Sequence, residues 1–147
     1  MFDLSQSEAD MLLAMTKQRV NDDVHAFSQI DSKLVIPLQS TDQREYFLLD
    51  IGRGRINLLK GTYQTRARQI VILARIDFGG SPHRNPDGTD VACPHLHLYR
   101  EGFGDKWAEP VPVATFESSD DRWQLFQDFL KFCNVILPPI MQRGLII

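Results

Sequence analysis

The amino-acid sequence predicts an α+β domain: a largely antiparallel, twisted sheet with an N-terminal and a C-terminal helix packed on it. Three observations carry this. Apolar stripes at helical spacing lie only near the two ends, the middle is a series of short β-type runs, and the segments joining those runs are mostly too short for a crossover helix. At 147 residues, 43% apolar and 24% charged, the chain is read as one soluble domain, 1–147, large enough to bury a core.

Taken in order, Ser5-Gln-Ser-Glu8 has capping-box spacing, and Asp3, Ser5 or Ser7 can cap a helix. Met11, Leu12, Met15 and Val20 follow on one stripe, so a helix is expected over 6–17 or 6–19. His25 falls in an acidic connector and is read as a surface residue without a role. Residues 32–39 form a β-type run in which Pro37 argues for an edge strand or a bulge. After a polar turn at 40–44, residues 46–51 form a strand, broken by Gly52-Arg53-Gly54. A short apolar run at 56–59 and a strand or turn at 61–65 precede the clearest strand, 69–78, which ends at Gly79-Gly80. Prolines and Asp87-Gly88 make 82–94 a loop. Residues 95–100 read as a strand and 111–116 as another. Ser118 or Ser119 then caps a second helix with Asp120 and Asp121 in its first turn. Trp123, Phe126, Phe129, Leu130 and Cys133 give it a broad apolar stripe, and Pro138-Pro139 stops it. The apolar tail 140–147 must pack on something.

Several function classes are set aside at this level. No apolar run approaches the ~20 residues that span a bilayer, and the N-terminus lacks the basic-then-apolar profile of a secretory leader. A cytoplasmic protein with no membrane partner is expected. Cys93 and Cys133 make no spacing motif and are read as reduced. Cys93-Pro-His95-x-His97 falls short of the four well-spaced ligands of a structural zinc site, so no metal and no cofactor is assigned. The net charge of −3 hides an asymmetry. Between Asp50 and Asp77 there is no acid, yet there are Arg53, Arg55, Lys60, Arg66, Arg68 and Arg75. This is either an anion-binding face or an ordinary solvated strand face.

Residues 75–107 hold three of the four histidines. Strand alternation puts His95, His97 and Tyr99 on one face. In the preceding strand Ile70, Ile72, Ala74 and Ile76 share a face, which leaves Arg75 and Asp77 opposite. If the two strands pair as a long-looped hairpin, Arg75 and Asp77 lie beside His97 and His95, and His83 can swing over them from the loop. Histidine exchanges protons near neutral pH, a carboxylate fixes its tautomer, and arginine matches phosphate oxygens. Such a set suffices for metal-independent RNA cleavage, with one histidine taking the 2′-OH proton and a second protonating the leaving oxygen. The competing reading is the plain solvent face of an amphipathic strand. Tyr99, Phe103 and Trp107 are either core or a base-stacking platform.

At these residues the chain resembles a family of small uncharacterised bacterial proteins, often carried on mobile elements. That family is marked by an Asn-Pro-Asp-Gly loop and a Cys-Pro-His-x-His-x-Tyr-Arg-Glu-Gly-x-Gly-Asp-Lys-Trp segment, here residues 85–88 and 93–107. The order Arg75, Asp77, His83, His95, His97 is similar, more loosely, to toxins of the TumE type, partners in toxin–antitoxin pairs suspected of acting on RNA. Phe78 stands where those toxins have asparagine, and the loop here is longer. The resemblance implies a toxin-like ribonuclease with RNA and a cognate antitoxin as partners. His95, His97, Asp77 and His83 would be catalytic; Arg75, Arg100, Tyr99, Arg53, Arg55 and Lys60 would contact substrate. Two alternatives stand beside it. One is a non-catalytic binding module of a mobile element, such as an inhibitor of a host defence complex. The other is a metal-dependent hydrolase using the histidines as ligands.

Overall fold

The computed structural model describes residues 3–27, 33–53, 60–116 and 121–143. Among the described residues, two helices, α1 (Gln6–Ala14) and α2 (Arg122–Phe132), accompany twelve strands. These are β1 (Lys17–Arg19), β2 (Val24–Ala26), β3 (Leu34–Ser40), β4 (Tyr46–Arg53), β5 (Gly61–Ala67) and β6 (Val71–Phe78), then β7 (His83–Arg84), β8 (Asp90–Val91), β9 (His95–Leu98), β10 (Ala108–Pro110), β11 (Val135–Leu137) and β12 (Ile140–Gln142). The main sheet has eight strands in the order β10-β9-β6-β5-β4-β3-β1-β11. Its pairings are antiparallel except β1 with β11. The fold is broadly α+β, as expected, but helices are few and the second is not the C-terminal element. No helix among the described residues is long and apolar enough to cross a membrane.

Alternation sorts the sheet into two faces. Phe47, Leu49, Ile51, Tyr63, Ile76 and Leu96 point to one side and are buried with Leu12 of α1 and with Phe126 and Phe129 of α2. Each fully buried side chain of this size contributes about 1.5–3 kcal/mol of transfer free energy. The other face carries Asp50, Thr62, Gln64, Arg66, Arg75, Asp77, His95 and His97, brought level by cross-strand register. One irregularity sets this division. Between β5 and β6 the register shifts at Thr65/Arg66, pairing Thr65 with Ala74 and Arg66 with Ile72. The extra residue, Leu73, is buried beside the equally buried Ala74, and its carbonyl accepts from the Tyr99 N–H at 2.9 Å. This bulge re-phases the strand, so Arg75 and Asp77 leave the helix side. Ile72 consequently stands on the polar face and Ile70 is exposed, contrary to the sequence expectation that both share a face with Ile76.

Other expectations are corrected. The first helix ends at Ala14 with Met15 as its cap, and residues 17–19 are a strand. The reason is Lys17, whose Nζ lies 2.8, 2.9 and 2.7 Å from the carbonyls of Leu13, Met15 and Cys133. One buried ammonium thus closes the C-terminal ends of both helices, where the helix dipoles favour a cation. Burial pulls its pKa down to about 8. At the other end of α1, Ser5 forms the capping box with Glu8. His25 lies in a strand, not a connector, since β2 pairs with β12. Pro37 sits inside β3, just past the point where β1 stops pairing at Arg19–Leu38, so its missing N–H costs no ladder bond on that side. β4 continues through Arg53. Residues 111–116 are not a strand: they turn, with the Phe116 N–H on the Pro112 carbonyl, and the strand is β10 before them. The second helix is capped by Asp121. It ends at Phe132, before the prolines, because Asn134 takes a φ of 57° and redirects the chain into β11. The 56–59 run, Arg55, Ser118, Ser119, Asp120 and the end of the tail lie outside the described residues.

Candidate functional site

β6 and β9 pair antiparallel with Asp77 opposite His95 and Arg75 opposite His97, so four of the expected residues project from one face of adjacent strands. The third histidine arrives from the connector between those strands, which folds into the small β7–β8 hairpin. The rings of His83 and His97 are 4.6 Å apart, those of His83 and His95 5.7 Å, and those of His95 and His97 5.0 Å.

Hydrogen-bond partners assign the tautomers. The His97 Nδ1–H donates to the Asp105 carbonyl at 2.7 Å, which leaves Nε2 to accept from Arg75 Nη2 at 3.0 Å. The His95 Nε2–H faces Asp77 Oδ2 at 3.3 Å, which leaves Nδ1 as a lone pair beside Cys93. His83 donates Nε2–H to the Lys106 carbonyl at 2.7 Å, and its Nδ1 is likewise a lone pair. Thr62 donates to Asp77 Oδ1 at 2.9 Å. Arg75 Nε lies 3.3 Å from the same oxygen but is not aligned for a hydrogen bond; its Nη1 is drawn to Asp105 at 2.5 Å.

Burial divides the roles. His97 is 0% exposed and reaches nothing outside the protein. His95 is 3% exposed but lines a pocket of about 200 Å³ together with Asp77, His83, Cys93, Thr62 and Lys60. Burial pushes the Asp77 carboxyl up, but the His97 ring 3.3 Å away, the charge of Arg75 and the hydrogen bond from Thr62 outweigh it and hold the group well below the usual carboxylate range. Burial also lowers the pKa of His95, against the upward pull of Asp77. His95 is therefore a neutral base at neutral pH, oriented by a carboxylate that stays ionised.

A carboxylate oxygen of Asp77 and one ring nitrogen each of His95 and His97 lie within 4.8 Å of one another, the donor set of a two-histidine, one-carboxylate metal site. The fit is poor in one respect. The Arg75 guanidinium is hydrogen-bonded to the His97 nitrogen that would have to face the ion. A divalent cation would displace a cation already fixed by Asp105. The donors fit a proton-relay network better.

Of the other expected residues that the structure describes, Lys60 is brought to this place, and Tyr99, Arg100 and Arg53 are not. Tyr99 follows the end of β9 and turns to the helix side, where its hydroxyl donates to the Leu4 carbonyl at 2.7 Å. Arg100 stacks on Trp107, 4.1 Å from the ring centre. Arg53 alternates with Leu49 and Ile51 onto the helix side, near Tyr63 and Arg122. Lys60 borders the pocket. The basic stretch is also largely neutralised: Arg66 pairs with Asp50, Arg68 with Glu45, and Arg75 with Asp77 and Asp105. Thr62 and Asp105 were missed. Cross-strand register to Asp77 could have exposed Thr62 once β5 was placed next to β6, but Asp105 arrives from a turn that alternation does not address. The model of a family described as a family of unknown function (DUF6978) matches residues 4–135. No curated protein and no solved structure matches the chain.

Proposed function

Because the chain belongs to that family of unknown function, we propose its activity from the site and from the resemblance of its Arg-Asp-His order to toxins: a small, toxin-like, metal-independent ribonuclease. The observation that carries this is the Asp77–His95 pair opening onto a pocket that His83 also lines. His95 takes the 2′-OH proton at Nδ1, Asp77 fixes its tautomer, and His83, held by the Lys106 carbonyl through Nε2, relays a proton through Nδ1 to the leaving oxygen. His97 is too buried to touch substrate and acts as a positioning residue, holding Arg75 against the pair. Lys60 is the cation available for a phosphate at the pocket rim.

The test is induced expression of wild type beside His95→Ala and His97→Ala, scored by growth and by the integrity of total RNA. Arrest and RNA loss with wild type only, persisting in a purified assay with chelator, support the reading. Equal growth and intact RNA in all three strains remove it. A requirement for added metal in the purified assay would move it to the metal-dependent hydrolase.

A second reading has its own observation. With Arg66, Arg68 and Arg75 each matched to an acid, the sheet face beside the site is not strongly cationic, and Val35 and Tyr46 stand exposed on it. That favours a protein partner over RNA and a non-catalytic binding module of a mobile element. One stoichiometric protein partner captured equally by wild type and His95→Ala would select it.

A further inference from the structure

We propose that Cys93 is a nucleophile, activated by His95 and Asp77, and that the pocket beside it accepts a small activated acyl group such as a thioester or aryl ester. This goes beyond the ribonuclease reading and does not depend on it. The three residues are linked through the two nitrogens of one ring. Cys93 Sγ is 3.5 Å from Nδ1 of His95, and the opposite ring nitrogen, Nε2, is 3.3 Å from Asp77 Oδ2. A nucleophile, a base and a group orienting the base through its other nitrogen form the arrangement by which thiol and hydroxyl nucleophiles are activated on unrelated folds. Asp77 is itself held by Thr62 at 2.9 Å, so the ring cannot rotate without breaking a supported bond. Cys93 is half-buried at the edge of the pocket of about 200 Å³, where a small molecule can reach its sulfur.

Sγ also lies 3.5 Å from the Ser81 carbonyl and 3.8 Å from the Asp77 carbonyl. Both oxygens can accept the S–H, so attack requires that proton to turn from them to His95. In that step the S–H proton passes to His95 Nδ1, a sulfur lone pair forms the S–C bond, and the carbonyl π pair moves onto oxygen. Collapse of the adduct re-forms C=O and expels the alcohol or thiol, which takes the proton back from Nδ1. The product is an S-acyl Cys93. Water activated by the same nitrogen then releases the acid and regenerates the thiol. Lys60 lines the same pocket and is the cation available to the oxygen that gains charge.

The second cysteine is an internal control, because Cys133 is fully buried and burial pushes its thiol up to about 11. The full chain is treated with p-nitrophenyl acetate, following nitrophenolate release and mapping the acetyl group by peptide mass. The expected result is acetylation of Cys93 at least about tenfold faster than of glutathione at the same pH, with His95→Gln and Asp77→Asn each slowing it by about tenfold or more. Cys133 should stay unmodified, and its acetylation would identify a variant that has unfolded. The proposal is overturned if wild-type Cys93 reacts no faster than glutathione, or if folded His95→Gln and Asp77→Asn both match wild type. RNA cleavage is scored separately on wild type, so either reading can fail while the other stands.

Discussion

Two aspartate–arginine clusters sit on the same sheet face, and they are built differently. Asp50 is saturated. Arg66 grips it with two bonds, Nε to Oδ2 at 2.7 Å and Nη2 to Oδ1 at 2.8 Å, and Gln64 adds a third at 2.7 Å. Asp77 has an arginine of its own, but Asp105 pulls the fork of Arg75 aside, and Oδ2 is left to two histidines at 3.3 Å. A closed pair such as Asp50–Arg66 has no capacity left for chemistry. The open one keeps an ionised carboxylate in contact with a titratable ring. A misaligned arginine is therefore the informative feature, and it separates a site from a brace.

The comparison can be broken or sharpened by experiment, beginning with the largest effect. Asp77→Asn should reduce RNA cleavage per folded molecule by about 10²–10⁴-fold, the range of a lost acid–base partner. Equal cleavage by this variant would end the distinction. Asp50→Asn should do the reverse: it leaves Arg66 half-paired and costs about 2 kcal/mol by denaturant unfolding, while cleavage per folded molecule is retained. Asp105→Ala should free Arg75 to close on Asp77 as Arg66 closes on Asp50. We expect about a tenfold loss of cleavage, the effect of a degraded base rather than a missing one. The smallest effect concerns pH. Removing the Asp77 charge removes the interaction that raises His95 against burial. The acid limb of the residual activity in Asp77→Asn should shift to lower pH relative to wild type, and a shift to higher pH would contradict the assigned orientation.

Much of this face is legible in the sequence because alternation is a strict rule. The β-branched content of 71–78 and the His-Leu-His-Leu of 95–98 reveal two strands, and period two then puts Asp77 and Arg75 with His95 and His97. What was not legible depends on contacts distant in sequence. Nothing local says that Lys17 will be drawn in to bond the carbonyl of Cys133, so a helical stripe appeared to run on where a strand begins. The acid-free stretch 51–76 looked like a cationic surface because its partners, Glu45, Asp50 and Asp105, lie outside it. Tyr99 obeyed alternation on paper, but the strand ends at Leu98, and the next residue is set by the turn that follows.

The bulge at Leu73 makes the count of residues in β6 part of the site. Side chains can be exchanged along this strand one at a time and each remaining residue still faces where it did. Removing a single residue between Val71 and Ala74 is different, because it would regularise the ladder and exchange the inward and outward sets on one side of the cut. The carboxylate and guanidinium would then turn toward the helices, or Val71 and its neighbours toward water. Lineages of this chain should therefore accept varied side chains here but a fixed length, whereas the 79–94 connector is free to grow or shrink so long as it returns His83 and Cys93 to the same ring of groups.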